Sequence, residues 1–187
     1  MIRRPPRSTR KESSAASDVY KRQYFDRGPI DAEELVTGGF WSTYWYGNHI
    51  YGTEIIRGLD VLTLEASEHI TANEIAAAGL ADYNGVLNPQ QQLPVTWPDH
   101  PVVALALLDQ LARSGANDAA TIEAAGDAMK TARETFDAGE SSRRYARTIE
   151  GLAAKIGSSD EGKAAAEVMR AVAAKLREPQ IRSTGAD

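Results

Sequence analysis

The chain has 187 residues, 42% of them hydrophobic and 25% charged, with a formal net charge of −5. That length supports one domain or two small ones, and that composition fits a protein with a core. The absence of cysteine excludes disulfides, thiol catalysis and thiolate metal sites. No apolar run approaches the roughly 20 residues of a membrane helix, the longest being Val102 to Leu108, so no membrane insertion is expected.

Residues 1–23, MIRRPPRSTRKESSAASDVYKRQ, carry seven basic and two acidic side chains, whereas residues 24–187 carry 14 basic and 24 acidic ones. A body rich in carboxylates repels phosphate backbones, which argues against nucleic acid as a partner. The basic arm admits three biological readings. It can be a nucleic-acid arm built on Arg3, Arg4, Arg7, Arg10 and Lys11, an Arg- and Ser-rich transit peptide, or a disordered tail. No apolar stretch follows its basic residues, so it does not read as a secretory signal. A fourth reading covers the whole stretch. It closely resembles the conceptual translation of sequencing-adapter or linker DNA, which recurs at the ends of reading frames from metagenomic assemblies. That resemblance implies that residues 1–23 are foreign, that the fold is entered near Tyr24, and that the natural N-terminus is missing.

Residues 24–65 are the β-rich region, with aromatic and β-branched residues clustered as strands prefer. Trp41, Thr43 and Trp45 alternate with Ser42, Tyr44 and Tyr46, which is the period of a strand. Gly47-Asn48 is a turn signal, and a second strand is expected over His49 to Ile56. Arg57-Gly58 turns again into a third strand, Leu59 to Leu64. Tyr24-Phe25 reads as the end of an earlier strand. A lone meander exposes one apolar face and two edges, so neighbouring strands are expected, and none follows in the sequence.

GNHIYGTEIIRGLDVLTLE, residues 47–65, resembles the repeat of LVIVD-repeat proteins. The features carrying the likeness are the Gly47-Asn48 turn, an aromatic strand, a glycine and the strand Gly58-Leu59-Asp60-Val61-Leu62. The preceding YFDRGPIDAEELVTGGFWSTYWY and the later NPQQQLPVTWP resemble the carboxy-terminal end of such proteins. The resemblance covers one complete repeat. It implies a β-propeller-like fold of several repeats in an exported protein, extracellular or periplasmic. It further implies that the partners of this one blade are missing propeller blades of the same chain. The repeat motif is structural and marks no catalytic residue.

Residues 66–98 join this region to the rest. Thr71-Ala-Asn-Glu74 reads as a capping box opening a short helix from Ala72 to about Leu80. The proline-rich stretch from Tyr83 to Pro98 reads as a loop, and its Val86, Leu87, Val95 and Trp97 predict that it packs against something. Residues 99–178 form a helical tail. Asp99 is expected to cap a helix from His100 to Ser114 that Gly115 stops, and Asn117 to cap one from Asp118 to Asp137. Ile122, Ala125, Met129, Ala132 and Phe136 give that second helix its apolar stripe. Ser141 or Ser142 starts a helix to Ile156, and Ser158-Ser-Asp-Glu161 reads as a further capping box before a last helix to about Arg177. Short loops predict a small antiparallel bundle of three or four helices, with a thin, alanine-rich core. Residues 179–187 are expected to be disordered.

Candidate chemistry is sparse. His49, His69 and His100 lack the partners of a metal motif, so no metal and no cofactor is expected. Glu54 and Asp60 lie on neighbouring strands, where solvated or ladder-paired carboxylates are commoner than a glycosidase pair. Arg143, Arg144 and Arg147 read as a solvated helix face, with Glu140 and Glu150 within pairing reach. No nucleophile elbow, phosphate loop, dinucleotide glycine string or calcium loop is present. Trp41, Tyr44, Trp45, Tyr46 and Tyr51 are the candidate stacking surface for a protein or glycan ligand, against a plain packing role in the sheet. The expectation is therefore an α+β chain: a three-stranded antiparallel meander, then a helix bundle. Its expected role is non-catalytic binding or scaffolding, and the alternative is part of a propeller-type hydrolase whose catalytic groups lie elsewhere.

Overall fold

The computed structural model describes residues 28–82 and 95–178. The readings made on residues 1–23, on Tyr24-Phe25, on most of the proline-rich loop and on residues 179–187 lie outside the described residues. The chain divides into two compact units, Met1–Gly39 and Phe40–Asp187. In the described part of the first, the Asp31 carboxylate accepts hydrogen bonds from the backbone N–H groups of Glu33 (2.7 Å) and Glu34 (2.9 Å), a turn closed by its own side chain. Those two donors, Glu34 first, hold the carboxyl below the usual carboxylate range.

The second unit is α+β. It opens with an antiparallel meander of β1 (Phe40–Tyr46), β2 (His49–Glu54) and β3 (Gly58–Thr63), in that spatial order. The β1–β2 turn is Gly47-Asn48, with φ of 55° and 65°. Two successive positive φ values make the tight turn whose twist suits a hairpin, and glycine and asparagine adopt them at least cost. The second turn differs from the sequence expectation. β2 stops at Glu54 rather than Ile56, and the turn is Ile55–Arg57. The cause is local: the Glu54 carboxylate accepts from the Ile56 N–H (3.0 Å) and from the Arg57 N–H, drawing the chain out of the ladder. β1 carries a bulge between Phe40 and Ser42, which takes Trp41 out of register. The Phe40 ring lies over Gly52, where a Cβ would come within 2.5 Å of it, so glycine is what lets the ring cross the strand.

Among the described residues five helices follow: α1 (Ala72–Ala78), α2 (Pro101–Ser114), α3 (Ala119–Asp137), α4 (Arg143–Ile156) and α5 (Lys163–Lys175). The last four close into a bundle whose contacting neighbours run antiparallel. The His100 ring before α2 meets Phe136 near the end of α3. Asn117 before α3 donates to the Ile156 carbonyl that ends α4 (3.1 Å). The Ser142 N–H before α4 donates to the Leu176 carbonyl after α5 (2.8 Å), and Lys175 pairs with Asp99 at the start of α2 (3.5 Å). Leu108, Met129, Ile149, Ile156, Met169 and Leu176 fill the centre, and among the described residues nine buried alanines belong to the same cluster. Those small side chains let the helices approach closely, which is the thin core expected from the sequence.

Three predicted caps move. His100, not Asp99, caps α2: its ring Nδ1 accepts from the Val102 N–H (3.2 Å), and Pro101 occupies the first helical position, where a missing N–H costs nothing. Asp118, not Asn117, caps α3 through the Thr121 N–H (2.9 Å). The capping box expected at Ser158–Glu161 does not form, because α5 starts at Lys163 after Gly162 with no side-chain cap. Ser159 is instead drawn inward, donating to Asn117 Oδ1 and accepting from the Gly162 N–H (3.0 Å). Asn117 and Ser159 thus lace one end of the bundle together. The box at Thr71 does form, with Glu74 N–H on the Thr71 hydroxyl (3.2 Å) and Thr71 N–H on the Glu74 carboxylate (2.8 Å).

Candidate functional site

Strand register sorts the meander into two faces. Ser42, Tyr44 and Tyr46 of β1 stand opposite Thr53, Tyr51 and His49 of β2, which stand opposite Leu59, Val61 and Thr63 of β3. These nine residues share one face. The Tyr44–Tyr51–Val61 row crosses its middle, and the Ser42 and Thr53 hydroxyls are 2.9 Å apart beside it. Tyr44, Tyr46, Leu59 and Val61 retain between 39% and 61% of their accessible surface, an open apolar and aromatic patch. The other face holds Trp45, Ile50, Leu62, Asp60 and Glu54, half-buried or buried, together with the Phe40 ring over Gly52.

Of the five aromatic residues singled out in the sequence, the fold gathers Tyr44, Tyr46 and Tyr51 on the open face. Trp45 lies on the opposite face. Trp41, displaced by the bulge, stands 81% exposed at the sheet's margin. Strict alternation alone places Trp41 with Trp45; the bulge, which follows Gly39 at a φ of 115°, breaks that alternation.

Several other candidates are engaged elsewhere. The Glu54 carboxylate is buried and caps the turn after β2. His49 Nδ1 lies 2.7 Å from the Gly47 carbonyl within the hairpin, and His69 pairs with neighbouring Glu68. His100 caps α2, and burial, helped by Arg133 and Lys175 against the opposing pull of Asp137, holds its imidazole below the usual range. Glu150 pairs with Arg177 rather than with the Arg143–Arg147 face. Among the described residues no three His, Asp or Glu side chains group as a metal site, and no helix is long and apolar enough to cross a membrane.

A second feature has no counterpart in the sequence reading. A groove of about 720 Å³ runs between α1, α2 and α5, with Val95, Thr96 and Trp97 along one side. Its floor is Ala77, Val103, Ala106, Leu107 and Val168, part of a small core that packs α1 onto α2 and α5. α1 is held there by side chains: Thr71 (2.6 Å) and Asn73 (3.0 Å) donate to Asp109, and Arg113 grips Glu74 with both nitrogens (2.9 and 2.5 Å). Burial pushes the Glu74 carboxyl up, but Arg113, the Thr71 N–H and Gln110 together hold it below the ordinary range. The Trp97 wall is set by a two-bond antiparallel bridge between Asp82 and Thr96 (2.8 and 3.2 Å). The signal in the sequence was Val95 and Trp97, apolar residues in a polar, proline-rich stretch. What they border depends on how three separate helices meet.

No family model, curated protein or solved structure matches this chain.

Proposed function

We propose that this chain is a non-catalytic binding or scaffold module of an exported LVIVD-repeat, propeller-like protein, with the meander as a docking blade and the bundle as its rigid base. The observation that supports this reading is the open sheet face. It mixes tyrosines with the aliphatic Leu59 and Val61 in a continuous cross-strand patch, a composition suited to packing against another sheet. The reading also agrees with the engagement of Glu54 in a turn, which removes the best-placed carboxylate from acid–base work.

Sedimentation across a wide concentration range tests the docking face. The wild-type chain is expected to self-associate through it, and a Tyr44→Ser/Val61→Ser variant with unchanged helical circular dichroism to stay monomeric. A wild-type chain that stays monomeric and binds no hydrophobic dye at this face would sink the docking role. Turnover of ester, glycoside or peptide substrates that vanishes in Glu54→Gln would sink the non-catalytic one.

A further inference from the structure

We propose that the groove between α1, α2 and α5 is a binding site for a small amphipathic organic cation, one with a compact apolar body and an ammonium head. This goes beyond the role proposed for the sheet and does not depend on it. The size is right: about 720 Å³ falls within the roughly 300–1,000 Å³ of small-molecule sites. The floor is aliphatic, and Trp97 stands beside it with half its surface exposed, a flat wall for an apolar body and a π face for a cation.

Charge decides the class of ligand. Two of the described lining residues are acidic, Glu74 and Glu167, and none of these residues is basic. Glu74 is already neutralised by the two-pronged grip of Arg113. Glu167 makes no hydrogen bond or ion pair among the described residues and stands exposed on α5, directly before Val168 of the floor. An anionic ligand would bring its charge against both carboxylates. A neutral apolar one would fill the floor and leave Glu167 unused. An ammonium head carried by a body on the floor has two groups of the lining suited to it, the Glu167 carboxylate and the Trp97 indole, and Gln110 and Thr96 are neutral polar groups of the same lining.

Three probes of matched shape separate these cases in isothermal titration with the full chain: (3-phenylpropyl)trimethylammonium, its neutral tert-butyl isostere and 3-phenylpropylsulfonate. The expected result is saturable one-to-one binding of the ammonium, about fivefold weaker binding of the neutral isostere, and none of the sulfonate. Glu167→Gln should reduce the preference for ammonium over the isostere, leaving only the part due to Trp97, with the isostere's affinity in place. Trp97→Ala should weaken the ammonium about tenfold. Ala164→Trp, which adds bulk at an exposed lining position on α5, should block all binding without touching the core. Thermal melting of each variant confirms that it is folded. Equal binding of sulfonate and ammonium, an isostere that binds better, or no saturable binding to the folded wild type at millimolar probe overturns the proposal. So does occlusion of the groove by a second copy of the chain.

Discussion

Replacing Arg113 with methionine should release α1 from the bundle while leaving the bundle itself folded. α1 has seven residues, too few to hold a helix alone in water, so its order rests on what it touches. It touches α2 through the Ala77 contact, the two donors to Asp109, and the Arg113–Glu74 grip. In that pair the Glu74 side chain is 11% exposed and the Arg113 side chain 38%. A fully exposed pair contributes about 0–1 kcal/mol, and hydrogen bonds to a buried charge about 1.5–3 kcal/mol each. With one partner buried and the other partly solvated, screening discounts the upper figure, and the loss should be about 1–2 kcal/mol, which methionine's retained stem keeps from growing. Hydrogen exchange by mass spectrometry reads this directly: amides of Ala77, Ala78 and Gly79 should lose about 5- to 30-fold in protection, and those of α3 and α4 none. The effect should also depend on pH. Because the Glu74 carboxyl is held below its unfolded value, its contribution is present above about pH 4.5 and is lost as pH falls through the lowered folded value. Wild-type α1 should therefore loosen in acid, and the variant much less. Unchanged α1 protection in Arg113→Met, or an equal loss throughout the bundle, would refute the view of α1 as a clamped, separable wall.

Three further outcomes are expected. His100 accepts a hydrogen bond at Nδ1 only while that nitrogen is unprotonated, and its folded pKa is lowered, chiefly by burial. Its contribution is therefore complete above about pH 6.5 and lost as pH falls below that, and His100→Asn, which keeps an acceptor, should flatten the melting temperature between pH 7 and 5.5. Ile149→Ala, at a fully buried position, should cost about 2–5 kcal/mol by chemical denaturation, whereas Tyr46→Ala on the open face should cost less than about 1 kcal/mol. Asn48→Val should destabilise the hairpin, since a β-branched residue is forced to a φ of 65°; faster exchange of the β1–β2 amides would register it, and unchanged exchange would count against the turn assignment.

The sequence made the element types plain where a periodic signal was long. α3 was readable from Ile122 to Phe136, because a 3.6-residue stripe repeated over several turns has few competing explanations. The hairpin at Gly47-Asn48 was readable for a different reason, since few residue pairs tolerate two positive φ values in succession. The errors cluster where several polar side chains compete for one role. Asp99, Asn117, Asp118, Ser158 and Ser159 are all plausible caps by type, and His100 is not. Tertiary contacts decided among them: Asn117 and Ser159 satisfy each other and the Ile156 carbonyl across the bundle end, leaving Asp118 to cap α3 and Gly162 to open α5 bare. The groove was illegible for the same reason at larger scale. Its 14 lining residues come from four separated stretches, and no local pattern marks Ala106 and Val168 as neighbours.

The two candidate surfaces differ in how they are held, and this bears on what each can do. The open sheet face rests on a ladder of only three strands, whose β1–β2 turn approaches the helices where the Asn48 amide packs against Gly79, at the C-terminal end of α1. Among the described residues no further strand pairs with the meander, so it has few ladder contacts to resist local opening, and the proposed docking role would add burial at its exposed patch. The groove is the opposite case. Most of its floor belongs to α2 and α5, which are locked into the bundle by Leu105, Leu108, Met169 and Val172, whereas α1 is held by the packing of Ala77 and by separable polar contacts. A rigid floor with one releasable wall suits a small ligand, because little ordering entropy is lost on binding. Since Asn48 touches the end of that same wall, loosening α1 by Arg113→Met should disturb the groove and the hairpin turn together. Exchange at the Gly47-Asn48 turn that rises with exchange in α1 would establish that link, and a turn unmoved by the loss of α1 would show the two surfaces to be independent.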